Sequence, residues 1–198
     1  MVVFGITGGS GSGKTSVSKM LEKLGVHIID TDVIAYEIVE PNSDCLNELV
    51  DYFGDSILND DKTLNRKKLA SIAFSDKQKT EALSNITHKY IKAEVVKDIN
   101  TTDAELVGID GAVIIGSNVE PLCEFIVSVI ADKQSRITRI KTRDNITDEQ
   151  AIQRINAQND DEFYKENSMY IIYNNGDIAQ LESDVVGLFN KIKGNSFE

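Results

Sequence analysis

The stretch VVFGITGGSGSGKTSVSKMLEKLG, residues 2–25, constrains the fold more than any other part of the chain. Val2 to Thr7 is apolar and β-branched and reads as a strand. Thr15 to Leu24 reads as a helix with Val17, Met20, Leu21 and Leu24 on one face and Gly25 as its stop signal. Between them lies Gly8-x-x-x-x-Gly13-Lys14-Thr15, the phosphate-binding loop pattern in the strand–loop–helix setting that gives it meaning. Its glycines let backbone N–H groups point inward around phosphate oxygens, and the helix start adds partial positive charge. Gly8, Gly11, Ser12, Gly13, Lys14, Thr15 and Ser16 are therefore the expected ligands of ATP. Lys14, read as an exposed loop lysine, should reach the β- and γ-phosphates, and the Thr15 hydroxyl should bind Mg2+.

The loop alone does not name the reaction. The only Asn-Lys pair, Asn190-Lys191, sits in the last helix and lacks the rest of a GTPase guanine signature. The Leu-Ser-Gly-Gly motif of ABC-type ATPases, the Gly-x-Pro-Gly start of adenylate kinases and the Asp-Arg-Tyr/Phe of thymidylate kinases are absent. A small-molecule kinase or an uncommon ATPase remains.

Composition narrows the setting. A chain of 198 residues, 41% hydrophobic, suits one α/β domain with a small inserted subdomain. No apolar run is long enough to cross a bilayer, and the N-terminus lacks a basic n-region, so it reads as the first strand of a mature cytosolic protein. Cys45 and Cys123 lie far apart and read as free, buried thiols; with only His27 and His88 no zinc site is expected. The net charge of −11 disfavours nucleic acid and anionic membrane as partners. An anionic ligand must meet a local positive cluster.

Val26 to Asp30 reads as a second strand that delivers Asp30 to the carboxyl edge of a parallel sheet, where ligands bind, with Asp32 just beyond. Two carboxylates near a triphosphate can support Mg2+ and act as a base toward an acceptor hydroxyl; alternatively, Asp32 caps a helix over Val33 to Glu40. Residues 43–99 read as mostly helical: a stripe of Leu46, Leu49, Val50 and Phe53 ending at Gly54, a helix capped by Asn65 running to Phe74, and one capped by Asp76 that His88 interrupts before Lys89 to Ile99 resumes. Such a helical insertion is a natural place for the acceptor, with Arg66 and His88 as candidate ligands, or else a surface arginine and a capping histidine. Glu105 to Asp110 is a third strand whose Asp110 falls where a carboxylate meets the Mg2+ shell, often through water. Glu124 to Ala131 and Met169 to Tyr173 are further strands, Asn174-Asn175-Gly176 a turn, Ile178 to Ile192 a closing helix, and Lys193 to Glu198 a frayed tail.

The positive cluster is Lys133 to Arg143. Arg136, Arg139 and Arg143 share one face of a helix that turns Ile137 and Ile140 inward. Thr147 to Gln150 is a capping box that opens a second helix carrying Arg154 and Gln158. The pair looks like a mobile lid that brings arginine onto phosphates. Arg143 is assigned that role, and Arg136 and Arg139 read as a solvated face.

Taken together these segments resemble the dephospho-coenzyme A kinase family over nearly the whole chain. GITGGSGSGKTSVSKML is similar to its phosphate loop, IIDTDVIAYEIVEP to its Asp-x-Asp segment, DSILNDDKTLNRKKLASIAFSD to its helical segment, NITH to its Thr-His element and RITRIKTRDNITDEQAIQRINAQ to its lid. The resemblance implies transfer of the ATP γ-phosphate to the ribose 3′-hydroxyl of dephospho-coenzyme A. It also implies that Asp32 is the base, that Arg143 stabilises the transferring phosphoryl, and that the insertion holds the acceptor through Arg66 and His88, with Asp30 and Asp32 on the substrate side. Two positions depart from it. Where the family commonly has Asp-Val-Pro-Leu-Leu-Phe-Glu, this chain has Asp110 to Gly116, with glycine for the glutamate, and Lys89 replaces a proline after the histidine.

The expectation is a P-loop kinase-like, three-layer α/β fold with a five-stranded parallel sheet. A single domain would comprise a core of about residues 1–40 and 104–198, a helical substrate region of about 41–103 and a lid of about 133–158. It would use ATP with Mg2+ and Lys14, Asp32 and Arg143 as catalytic groups, and be cytoplasmic and a monomer or weak homo-oligomer. A kinase for another small acceptor such as a nucleoside, or a weakened nucleotide-binding regulatory module, is the alternative.

Overall fold

The structure, a computed structural model, describes residues 1–195. Along the chain come β1 (Val2–Thr7), α1 (Lys14–Lys23), β2 (His27–Asp30), α2 (Thr31–Glu37), α3 (Asp44–Phe53), α4 (Arg66–Ala73), α5 (Lys77–Thr101), β3 (Leu106–Asp110), β4 (Phe125–Ile130), α6 (Lys133–Asp144), α7 (Asp148–Asn156), α8 (Asp161–Glu166), β5 (Tyr170–Tyr173) and α9 (Ile178–Asn195). Two compact units result. One holds residues 1–29 and the chain from 102 onward; the other is residues 30–101. The helical unit starts at Asp30, the last residue of β2 and the cap of α2.

The first unit is built on a five-stranded parallel sheet in the order β2-β3-β1-β4-β5, a three-layer α/β arrangement. β1 lies between β3 and β4, with Ile6 opposite Asp110 and Thr7 opposite Ser128. The strands carry near-continuous apolar runs because both faces of such a sheet are covered. Phe4, Ile6, Val127 and Val129 pack with Val17 and Leu21 of α1 and with Leu181, Val185 and Leu188 of α9. This packing fixes the carboxyl ends of β1 and β3, and so the loop after Thr7 and the carboxylate of Asp110.

The helical unit has its own core of Ile38, Cys45, Leu49, Ile57, Leu69, Ala73 and Ile86. Four expectations are corrected. α5 runs unbroken through His88, because that residue sits mid-helix and makes no cap. α2 starts at Thr31 and ends at Glu37, with Asp30 as its cap. α8, which had not been anticipated, forms with Asp160 accepting from the Phe163 N–H. α9 carries on through residues 193–195, and the remainder of the expected tail lies outside the described residues. Cys45 is buried and Cys123 partly so, both as free thiols; burial is the main cause that raises Cys45 to about 11 and Cys123 to about 12.

Candidate active site

Eight of the nine α-helices of the described residues begin with a side-chain oxygen accepting from a first-turn N–H: Asp30, Ser43, Asn65, Asp76, Asp132, Thr147, Asp160 and Asp177. α1 is the exception. Its cap is Gly13, left-handed at φ 97°, with no side chain to offer. A helix start leaves several donor N–H groups to be satisfied from outside, and an anion satisfies them well. Lys14, Thr15 and Ser16 form this uncapped turn.

The loop is held from behind by side chains far away in sequence. Ser10 is fastened at all three of its polar groups. Arg136 Nε donates to its carbonyl at 2.9 Å, its N–H donates to Gln158 Oε1 at 2.8 Å, and its hydroxyl accepts from Gln158 Nε2 at 3.2 Å. Arg139 donates to the carbonyls of Gly11 and Ser12, each at 3.2 Å, and to the Asn174 carbonyl at 2.9 Å. Asn174 Nδ2 donates to the Ser12 carbonyl at 2.8 Å. Carbonyls pulled outward leave the opposite side of the loop to the ligand. Gly11 belongs to this held backbone, a Cβ on Gly8 would strike the Val129 carbonyl of β4, and the Ser12 hydroxyl is buried, so Ser12 serves the loop through its main chain.

Glycine is needed for close approach at positions 9 and 13, and at Gly13, with φ 97°, for conformation as well. A Cβ on Gly9 would strike the Arg136 guanidinium, and one on Gly13 would strike the Asn174 amide. Arg136 is only 5% exposed and also faces Asp161 at 3.6 Å, so it is no part of a solvated face. Arg139 is likewise turned onto the loop. Helical spacing had grouped both with Arg143 without showing which way the face points. Arg136→Lys keeps the charge but loses the planar fork. With a charged hydrogen bond contributing about 1.5–3 kcal/mol, KM for ATP should rise about ten-fold or more, readable in steady-state kinetics alongside a melting curve.

At the sheet edge Lys14 is ion-paired with Asp110, and both side chains are largely buried, at 14% and 4% exposure. Lys14 is therefore not the exposed loop lysine the sequence suggested. No cluster of three or more His, Cys, Asp or Glu among the described residues would cage a metal unaided. The donors present are the Thr15 hydroxyl in the first turn of α1 and the buried Asp110 carboxylate at the end of β3. They fit Mg2+, which takes one or two protein oxygens and completes its shell from water and substrate phosphates.

Arg143, more than half exposed, donates to Asp144 through Nε at 2.7 Å and Nη2 at 3.0 Å, and Arg154 pairs with the same carboxylate. The bond from Arg143, reinforced by Arg154, holds Asp144 down at about 2, so this link is complete above the ordinary carboxylate range and is lost only as pH falls toward that value. α6 and α7 pack through Ile137, Ile140, Ala151 and Ile155.

Within the helical unit, Asp30 Oδ1 accepts from the N–H groups of Asp32 and Val33 at 2.8 and 3.1 Å. The capping alternative thus falls to Asp30, and Asp32 stands in the first turn of α2. Arg66 lies over the Tyr36 ring, 3.7 Å from its centroid, and donates to the Tyr36 carbonyl. Both line a groove of about 480 Å3 with Asn65 and Lys67. His88 is on α5 and is absent from that groove's lining.

Residues 2–180 match the sequence model of the family described as dephospho-CoA kinase. The dephospho-CoA kinase of Lactobacillus johnsonii is 34% identical over 191 residues, 95% of this chain and 96% of that one. The chain belongs to the dephospho-CoA kinase family. The dephospho-CoA kinase of Listeria monocytogenes is also 34% identical, over 96% of this chain and 97% of its own. The solved dephospho-CoA kinase from Campylobacter jejuni is 26% identical, with a TM-score of 0.70 and 98% of each chain covered. A shikimate kinase from Bacteroides thetaiotaomicron, 19% identical with a TM-score of 0.56 over 97% of this chain and 98% of its own, shares the fold. Dephospho-CoA kinases transfer phosphate from ATP in the final step of coenzyme A synthesis. Where that family commonly carries glutamate, Gly116 here is left-handed at φ 78°, and its N–H donates to the Glu120 carboxylate at 2.6 Å. A carboxylate thus reaches this turn from four residues downstream.

Proposed function

We propose that the chain phosphorylates the ribose 3′-hydroxyl of dephospho-coenzyme A with ATP·Mg2+, its triphosphate seated on the loop Gly8–Thr15. The observation that carries this assignment of the site is the uncapped start of α1 beneath a loop whose Ser10, Gly11 and Ser12 carbonyls are bonded to side chains of distant residues. Lys14, released from Asp110, pairs with the β- and γ-phosphates. Thr15 and Asp110 hold Mg2+, which when bound neutralises charge on the phosphate oxygens. Asp32 takes the proton of the acceptor hydroxyl; it follows directly from the strand end at Asp30, whose own carboxylate is occupied as a cap. Arg66 and His88 are acceptor ligands of the helical unit, and the Arg66–Lys67 groove suits an anionic part of the acceptor. Catalysis is then mostly positioning and electrostatic stabilisation of the transferring phosphoryl. No helix among the described residues is long and apolar enough to cross a membrane. We place the enzyme in the cytoplasm as a monomer or weak homo-oligomer.

Arg143 is the proposed lid arginine. To reach the γ-phosphate it must exchange Asp144 for phosphate oxygens, while residues near Arg136 and Arg139 stay fastened to the loop. A charge that arrives on closure acts chiefly in the transition state. Arg143→Lys should therefore lower kcat by about ten-fold or more with KM for ATP little changed. Hydrogen exchange should slow across residues 141–157 when both substrates are bound. The direct test is a coupled assay across acceptors: turnover with dephospho-coenzyme A well above that with nucleosides is expected, and equal turnover overturns the reading.

A further inference from the structure

Asn174, Asn175, Gly176 and Asp177 join β5 to α9, and the two asparagines stand in opposite surroundings. Asn174 is buried, and both atoms of its amide are bonded, Nδ2 to the Ser12 carbonyl and Oδ1 to Arg139. Asn175 is exposed. Its Oδ1 accepts from the Asp132 N–H at 2.8 Å, which ties the turn to the residue that caps α6. From α6, Arg136 and Arg139 reach the phosphate loop. The Asn175 amide therefore helps to fix the start of the helix that holds the loop.

That amide also faces its own backbone. Asn175 is the only asparagine of the chain followed by glycine. Glycine has no Cβ to shield its nitrogen. Among the described residues the Gly176 N–H makes no hydrogen bond, so no partner holds that nitrogen back. The Asp132 N–H draws electron density from Oδ1 and so makes the Asn175 amide carbon more electrophilic.

We propose that Asn175 is a site of spontaneous deamidation, and that its isoaspartyl product loosens the phosphate loop. The Gly176 nitrogen attacks Asn175 Cγ, the Cγ–Nδ2 bond breaks, and ammonia leaves with the proton that the nitrogen gives up. A succinimide ring remains. Water then opens the ring at one of its two carbonyls, giving aspartate or isoaspartate with no change of oxidation state. Aspartate keeps a side-chain oxygen that can accept from the Asp132 N–H. In isoaspartate the main chain runs through Cγ and is one methylene longer, so the oxygen that held Asp132 becomes part of the peptide link and the tie to α6 is lost. Asn174 is the internal control, because its amide is engaged at both ends and the next residue carries a side chain. The consequence for nucleotide rests on the reading that the loop Gly8–Thr15 seats the ATP triphosphate.

The test is to age the whole protein in mildly alkaline buffer and map its peptides by mass spectrometry. Conversion of amide to acid is expected at Asn175 and not at Asn174, with isoaspartate among the products. Gly176→Ala should suppress it. Position 176 is not left-handed, and an added Cβ would meet only the exposed Gln180 side chain at 3.4 Å, so the fold is kept. The isoaspartyl form, separated by ion exchange, should bind a non-hydrolysable ATP analogue about two- to ten-fold more weakly than fresh protein, the factor that one lost hydrogen bond gives. Asn175→Asp should stay within about two-fold, because the acceptor is retained. Hydrogen exchange over residues 8–16 should be faster in the isoaspartyl form alone. No conversion at Asn175, equal conversion at Asn174, or conversion undiminished in Gly176→Ala overturns the site. Unchanged exchange over 8–16 in the isoaspartyl form overturns the link to the loop. If fresh protein does not bind the analogue, the reading of the triphosphate site fails, while the peptide map and the exchange still decide this proposal.

Discussion

Lys14→Ala should lower phosphoryl transfer by roughly 10²–10³-fold or more, the scale seen when one preorganised charge is removed from a developing transition state. The same substitution should also destabilise the protein. Lys14 is paired with Asp110 and mostly buried, so its loss leaves a buried carboxylate without its cation. Removing one partner of a buried pair costs about 3–5 kcal/mol. The two effects separate in the double variant Lys14→Ala/Asp110→Asn, which should regain much of the lost melting temperature while remaining inactive. A folded Lys14→Ala protein with near-normal turnover would sink the assignment of the triphosphate site.

Asp32→Asn is expected to cut kcat by roughly 10²–10⁴-fold while KM for ATP stays nearly constant, because an amide cannot take the acceptor's proton. The structure supplies a matched control two residues earlier. Asp30 is the cap of α2, and asparagine caps about as well as aspartate. Asp30→Asn should therefore leave the melting temperature nearly unchanged. Equal kinetic losses at positions 30 and 32 would mean that neither acts as the base, and that the carboxylates matter only through local charge.

What could be read from the sequence was what is local. Gly8 to Thr15 announces its geometry in eight consecutive letters, and Asp110 is found at the end of a short apolar run. The caps at Asn65 and Thr147 are equally local and lie where the pattern put them. What escaped depends on distant partners. Arg136 and Arg139 bond to carbonyls 126 to 128 positions away. A helical wheel sees only three arginines in a row and cannot distinguish a face toward water from a face toward a backbone. Gln158 and Asn174 were missed as loop supports for the same reason. The sequence reads α5 as two pieces, although the helix is continuous, because only Ile86 and Val95 of its 25 residues are buried, which leaves too weak an apolar period to carry the reading past His88. α8 had a readable signal, Asp160 followed three residues later by Phe163, but six residues give no period to test.

The contacts of Gly9 with Arg136 and of Gly13 with Asn174 bear on how portable this loop is. An eight-letter motif invites transplantation as a cassette, yet two of its letters are complementary to side chains encoded more than a hundred positions downstream. Copied into a new scaffold alone, it would arrive as a glycine-rich linker with no preferred shape. Its minimal transferable form includes the first turns of α6 and the asparagine after β5. Within the family, positions 9 and 136, and 13 and 174, should drift as pairs: a relative that carries alanine at one is expected to have trimmed the other.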